Sequence, residues 1–127
     1  MSILSTVKAK IMDLNALEEA LKEFGGYLHR NVSQYNQYGG SMRSCKHKIS
    51  FGGERMEMGL IEQPDGSYSL EYDHMLDHIV GKNAGKLMDA YNVHKTIADS
   101  VAMGYAAVEL EREPDGTRCV EVHVLEY

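Results

Sequence analysis

Proline and cysteine are both scarce, at two residues each. So little proline excludes a Pro-rich disordered chain, and twelve glycines in 127 residues are too few for a collagen-like one. Cys45 and Cys119 make a poor disulfide framework for a secreted scaffold, and a chain of this length builds its core without one. Both are read as free thiols of a reducing compartment. No apolar run approaches the roughly 18 to 20 residues that cross a bilayer. The opening Met-Ser-Ile-Leu-Ser-Thr-Val-Lys-Ala-Lys lacks a basic region followed by a long apolar one, so no signal peptide and a cytoplasmic location are expected. Basic residues are also outnumbered, 13 against 19 acidic ones. The resulting charge of −6 argues against whole-surface binding to nucleic acid or anionic lipid. Catalytic signatures are missing as well: the chain has no Walker-type phosphate loop, no His-Glu-x-x-His and no specific Ser-His-Asp order. An enzyme is therefore not expected. What remains, 43% hydrophobic and 25% charged residues, is an ordinary globular composition, and residues 1–127 read as a single domain.

Alternation over Ile3–Ile11 predicts a first strand, with Val7, Ala9 and Ile11 on one face. Asp13 stands at an N-cap position before Leu14, Leu17, Leu21 and Phe24, an apolar stripe at helical spacing that Gly25 and Gly26 end. From Tyr27 to Met42 the pattern dissolves into Asn, Gln, Ser, Tyr and Gly, which predicts a long loop or an irregular edge strand. His47, Ile49 and Phe51 share one side of a further strand. Pro64-Asp65-Gly66 and Pro114-Asp115-Gly116 each predict a hairpin, with Pro presetting φ, Asp capping and Gly supplying positive φ. In the second hairpin Val120, Val122 and Val124 alternate with Cys119, Glu121 and His123, so the valine face is expected to be buried and the other wet. Asn83–Met103 reads as a helical region closed by Gly104, with Val93, Ile97 and Val101 recurring every fourth residue, either one bent helix or two segments breaking near Tyr91. The expected order is β-α-β-ββ-α-ββ. This is an α+β chain, loosely ferredoxin-like, with two hairpins in an antiparallel sheet and two helices packed on one of its faces.

The ordered landmarks carry a resemblance. They are Ser5-Thr6-Val7-Lys8; Ile11-Met12-Asp13 before a Leu-Ala-Leu helix; Asp65-Gly66-Ser67-Tyr68 ending at Asp73; Tyr91 before a helix closing on Gly104-Tyr105; and the final Asp115-Gly116 hairpin. Over nearly its whole length the chain resembles the "hypothetical chloroplast reading frame thirty-five" family, a domain of unknown function found in algal plastids, cyanobacteria, other bacteria and some phages. It departs from that pattern in the Gly- and basic-rich segment 39–55, and in having His74 in place of an aromatic. The resemblance implies a small soluble accessory protein whose partner is an ATPase of the AAA+ class. It carries over no catalytic residue and no cofactor.

Two clusters qualify as candidate sites. Arg43, Lys46, His47, Lys48 and Arg55 gather the basic charge between Gly39-Gly40 and Gly52-Gly53. Glycine-turn N–H groups beside such cations cradle phosphates, and Tyr35 and Tyr38 nearby offer stacking surfaces. Tyr35, Tyr38, Arg43, Lys46, Lys48 and Arg55 are thus a candidate ligand or nucleotide-phosphate site; the bland alternative is an exposed strand edge guarded by lysines. His74 and His78, four residues apart, present two candidate metal ligands, with Cys45 or His47 needed as a third; capping and solvated side chains are the alternative. His94 reads as a hydrogen-bonded core residue, and Met56, Met58, Met75, Met88 and Met103 as core filling. Cys119 and His123 stand about 13 Å apart along a strand, too far for direct activation of the thiol. The readings that follow are a protein-interaction module first, recruiting a partner or a second copy through the wet sheet face or an edge. A small-ligand binder comes second.

Overall fold

The computed structural model describes residues 4–125. Ile3 lies outside the described residues, as do the side chains of Ser5, Lys8 and Ala9, and the first strand is described from Leu4. Strand β1 (Leu4–Ile11) leads into helix α1 (Leu14–Leu21) through the predicted cap: the Asp13 carboxylate accepts the Ala16 N–H at 3.0 Å. The helix buries Ala16, Leu17, Ala20 and Leu21, and a 3₁₀ turn after it ends at Gly25, whose φ of 66° is open to a residue without Cβ.

Next come β2 (Gly26–His29), β3 (Gln34–Asn36), β4 (Met42–Ser44), β5 (His47–Phe51), β6 (Met58–Glu62) and β7 (Tyr68–Asp73). Where a single strand was expected between the first helix and the Pro64 hairpin, the chain forms four. Those at 26–29, 34–36 and 42–44 are too short and polar to show a hydrophobic period. Strands β1, β7, β6, β5 and β2 form one sheet in that order, each neighbour antiparallel. The β3–β4 pair is a separate ribbon.

A single-turn helix α2 (Asp77–Val80), the long α3 (Gly85–Ala102) and a terminal ribbon of β8 (Tyr105–Glu109) and β9 (Val120–Val124) complete an α+β chain with three helices. No helix among the described residues is long and apolar enough to cross a membrane. Both Pro-Asp-Gly turns are built alike. Asp65 and Asp115 accept the N–H of Ser67 and Thr117, while Gly66 and Gly116 take φ of 84° and 90°.

Alternate residues of the sheet, Ile49, Phe51, Met58, Leu60, Leu70 and Tyr72, join the buried faces of α1 and α3 in one core. The stripe of α3 differs from the expected one. Leu87, Ala90, Tyr91 and Val93 are buried, whereas Val101 is exposed, because the helix outruns the sheet and its last turns support only the terminal ribbon. Of the two expected forms, α3 takes the unbroken one and runs through Tyr91. The ring is buried and its hydroxyl accepts two backbone N–H groups, from Met12 at 2.9 Å and Asp13 at 3.1 Å, which α1 cannot satisfy itself. Met75 and Met103, expected in the core, are exposed; Met58 is buried and Met56 and Met88 pack against its rim.

Tyr91→Phe keeps the ring and strands both N–H groups. The expected cost is about 1–3 kcal/mol, read as a lower urea midpoint with an unchanged slope. An unshifted midpoint would remove the hydroxyl from any structural role.

Candidate functional site

The basic segment folds over the sheet face opposite the helices. Thr6, Glu71, Gly59, Lys48 and His29 stand in one cross-strand row over all five strands. At Gly59 the missing side chain lets the β3–β4 ribbon descend: a Cβ there would lie 2.4 Å from the Tyr35 ring. Tyr35 is consequently buried, its hydroxyl donating to Glu71 at 2.8 Å. Its cross-strand partner Arg43 donates to the same carboxylate oxygen at 2.7 Å. Burial first, then the Glu71 carboxylate, hold the Tyr35 proton on well above the ordinary phenol range. Lys48 is held 3.0 Å from Glu57, whose other oxygen accepts the Asn36 N–H at 2.8 Å.

Tyr35 and Arg43 are therefore brought together, but around a carboxylate. Lys48 has a carboxylate of its own. Lys46 is exposed, and its backbone ties the loop to β6 through Leu60. Tyr38 and Arg55 meet elsewhere, along an open cleft with Gly39, Gly40 and Met56. The cations spread rather than converge, and two of them are matched by acidic neighbours. Cys45 is half-buried, which raises its thiol and works against reactivity.

His74 and His78 do not form a built metal centre. Among the described residues no group of three or more His, Cys, Asp or Glu side chains is placed to hold an ion. The His78 ring bonds to the Met75 carbonyl and lies 3.1 Å from Glu54, while His74 lies 3.7 Å from Asp73. His47, a possible third ligand, is committed to the interior: it accepts the Asn31 N–H at 2.9 Å, and its other nitrogen meets the Tyr68 hydroxyl at 3.2 Å. Burial pulls its pKa down, in keeping with a neutral ring.

Sequence reading missed Arg118. Its side chain is only 8% exposed and is gripped on two sides. Glu109 takes bonds of 2.7 and 2.9 Å, and Glu23, in the 3₁₀ turn after α1, takes bonds of 3.0 and 3.2 Å. Glu23 also meets His94 at 2.7 Å and Arg112 at 3.6 Å, so His94 is hydrogen-bonded as expected, at half-buried rather than core depth. This network docks the terminal ribbon onto the body, and nothing in the spacing of residues 23, 109 and 118 announces it.

Beyond that anchor the ribbon is thinly covered. Val122 and Val124, expected to be buried, are 43% and 69% exposed. Val101, Met103, Val108, Leu110 and Leu125 are exposed around them. The reason is geometric: α3 is one helix wide, and the valine face of β9 reaches past it. Cys119 sits beside Glu113, and partial burial together with that carboxylate raises its thiol. Fold and surface thus define a small α+β protein with a self-neutralised polar face and an uncovered apolar ribbon. Comparison with family models, curated proteins and solved structures finds no match to the chain.

Gly59→Ala drives a methyl group into the Tyr35 ring. The expected cost is about 1–3 kcal/mol, with Tyr35 displaced toward solvent and tyrosine fluorescence altered; a wild-type spectrum and midpoint would contradict the close approach. The Arg118 network gives a pH signature. Hydrogen bonds from Arg118 lower Glu109, and those from Arg118 and His94 lower Glu23 against the opposing effect of burial. The unfolded chain then binds more protons in acid, so this stabilisation is complete above the ordinary glutamate value of 4.5 and is lost as pH falls through the folded values. Arg118→Met is expected to flatten that acid limb in denaturation curves measured between neutral and acid pH; an unchanged slope would contradict the assignment.

Proposed function

We propose that this chain is a non-enzymatic protein-interaction module whose contact surface is the terminal ribbon with the end of α3. One observation carries the reading: the ribbon exposes large apolar side chains on both faces, Val122 and Val124 on one and Val108 and Leu110 on the other, and Val101, Met103 and Leu125 at its borders are exposed as well. A lone two-stranded ribbon is marginal in water, and exposed apolar side chains gathered on one element mark a binding region. The outer face of the ribbon pairs Ala106 with His123 and Val108 with Glu121, an apolar strip beside one charged pair, which suits a protein partner better than a small ligand. The resemblance to the reading frame thirty-five family points to an AAA+ type ATPase in the cytoplasm as that partner. The alternative, a small-ligand or phosphate binder using segment 35–55, has less support, since Glu71 and Glu57 already meet Arg43 and Lys48.

Val108→Asp tests this reading, because the exposed position leaves folding within about 0.5 kcal/mol of wild type. Affinity purification of the full chain from its native host is expected to bring down an ATPase, and the variant to lose it. Equal recovery with both chains, or no ATPase with either, would overturn the reading.

A further inference from the structure

We propose that the open edge of β9 pairs with β9 of a second copy of this chain, giving a two-fold dimer with a continuous four-stranded terminal sheet. The inference rests on the ribbon being a contact surface and names the occupant of its edge.

The edge is ready for pairing. Leu110 donates to the Cys119 carbonyl at 2.9 Å, which marks that pair as hydrogen-bonded. Alternation along an antiparallel ladder then makes Val108–Glu121 and Ala106–His123 the next bonded pairs. Cys119, Glu121 and His123 thus spend their backbone groups on β8. Val120, Val122 and Val124 turn theirs outward, and β8–β9 is a sheet of two strands with no further neighbour among the described residues.

The strand is also its own complement. Residues 120–124 read Val-Glu-Val-His-Val. An antiparallel copy with the two-fold axis at Val122 sets Val120 opposite Val124 and Val122 opposite itself. All the outward N–H and C=O groups then face one another. The same register sets Glu121 of each chain opposite His123 of the other. In the single chain His123 Nε2 already lies 2.8 Å from Glu121 Oε1. Pairing interleaves two such pairs into a square of alternating carboxylate and imidazole. Moving the axis to residue 121 would oppose two carboxylates, and moving it to 123 would oppose two imidazoles, so side-chain chemistry favours the axis at Val122 over both adjacent registers.

Pairing across this axis keeps both copies of α3 on the same side of the extended sheet. The exposed Val122 and Val124 then pack against the valines of the second strand. Val108 and Leu110 remain available on the β8 side.

Sedimentation equilibrium of the full chain is expected to show a reversible dimer. Val122→Pro removes an outward N–H that the β8 ladder does not use, so it should weaken the dimer at least tenfold while the far-ultraviolet spectrum stays that of a folded chain. Glu121→His or His123→Glu alone, which set like groups opposite each other, should each weaken it by up to about tenfold. The double exchange E121H/H123E restores complementarity and should restore the dimer. A monomeric wild-type chain, a dimer indifferent to Val122→Pro, or a double exchange no better than the single ones would each overturn the proposal. A monomer that still loses its ATPase on Val108→Asp would overturn the dimer and leave the interaction reading standing. A dimer with these responses and no effect of Val108→Asp would do the reverse.

Discussion

The hydroxyl of Tyr91 holds the joint from which the rest of the structure extends. It accepts two backbone N–H groups where β1 turns into α1, at 2.9 and 3.1 Å. Those donors lie at the mouth of a helix, where the chain has no internal acceptors for them. Asp13 serves the next donor along, from Ala16, so side chains from two distant parts of the sequence finish one helix start. The consequence is that α3 is fixed to α1 by hydrogen-bond direction as well as by apolar contact. With both helices so fixed, the sheet residues Ile49, Leu60, Leu70 and Tyr72 have one face against which to bury. The direction in which α3 leaves the core also follows, and with it the position of everything after Gly104.

A second anchor does for the terminal ribbon what Tyr91 does for the body. Two strands do not bury enough surface to stand alone. Arg118 compensates by reaching both Glu109 within the ribbon and Glu23 in the 3₁₀ turn after α1. A planar guanidinium suits this because it meets two carboxylates with parallel bonds on different edges, which a lysine would not reproduce. Polar anchoring fixes the ribbon while leaving its apolar side chains uncommitted. A ribbon secured by burying Val122 and Val124 would have only Val108 and Leu110 left to offer.

Much of this was legible in the sequence wherever a local rule acted. The Asp13 cap, the positive-φ glycines of both Pro-Asp-Gly turns and the 47–49–51 alternation are one-residue or short-period signals, and each is found as read. The ribbon β3–β4 was not legible, because three-residue strands have no period to detect and its seat depends on Gly59, distant in sequence, lacking a side chain. The basic cluster misled for a related reason. Arg43 and Lys48 look like an unmatched run in the sequence, yet the carboxylates that match them, Glu71 and Glu57, are brought by β7 and by the loop before β6. The Glu23–Arg118 contact is longer in range still. Alternation correctly separated the two faces of β9 but carried no information on how far α3 would cover either.

Charge distribution connects these points. A formal charge of −6 suggests a surface that repels its own copies. In the folded chain opposite charges pair locally: Glu71 with Arg43, Glu57 with Lys48, and Glu23 and Glu109 with Arg118. Each pairing stitches one segment to another and leaves the net charge of −6 unchanged. On β9 the side chains that remain are three valines, one glutamate and one histidine, arranged so that the strand opposes no like charge when it meets itself in reverse. Self-repulsion sums over the whole molecule, whereas association is decided at the edge that makes contact. There the strand sets one glutamate beside one histidine, and Val122 and Val124 are exposed.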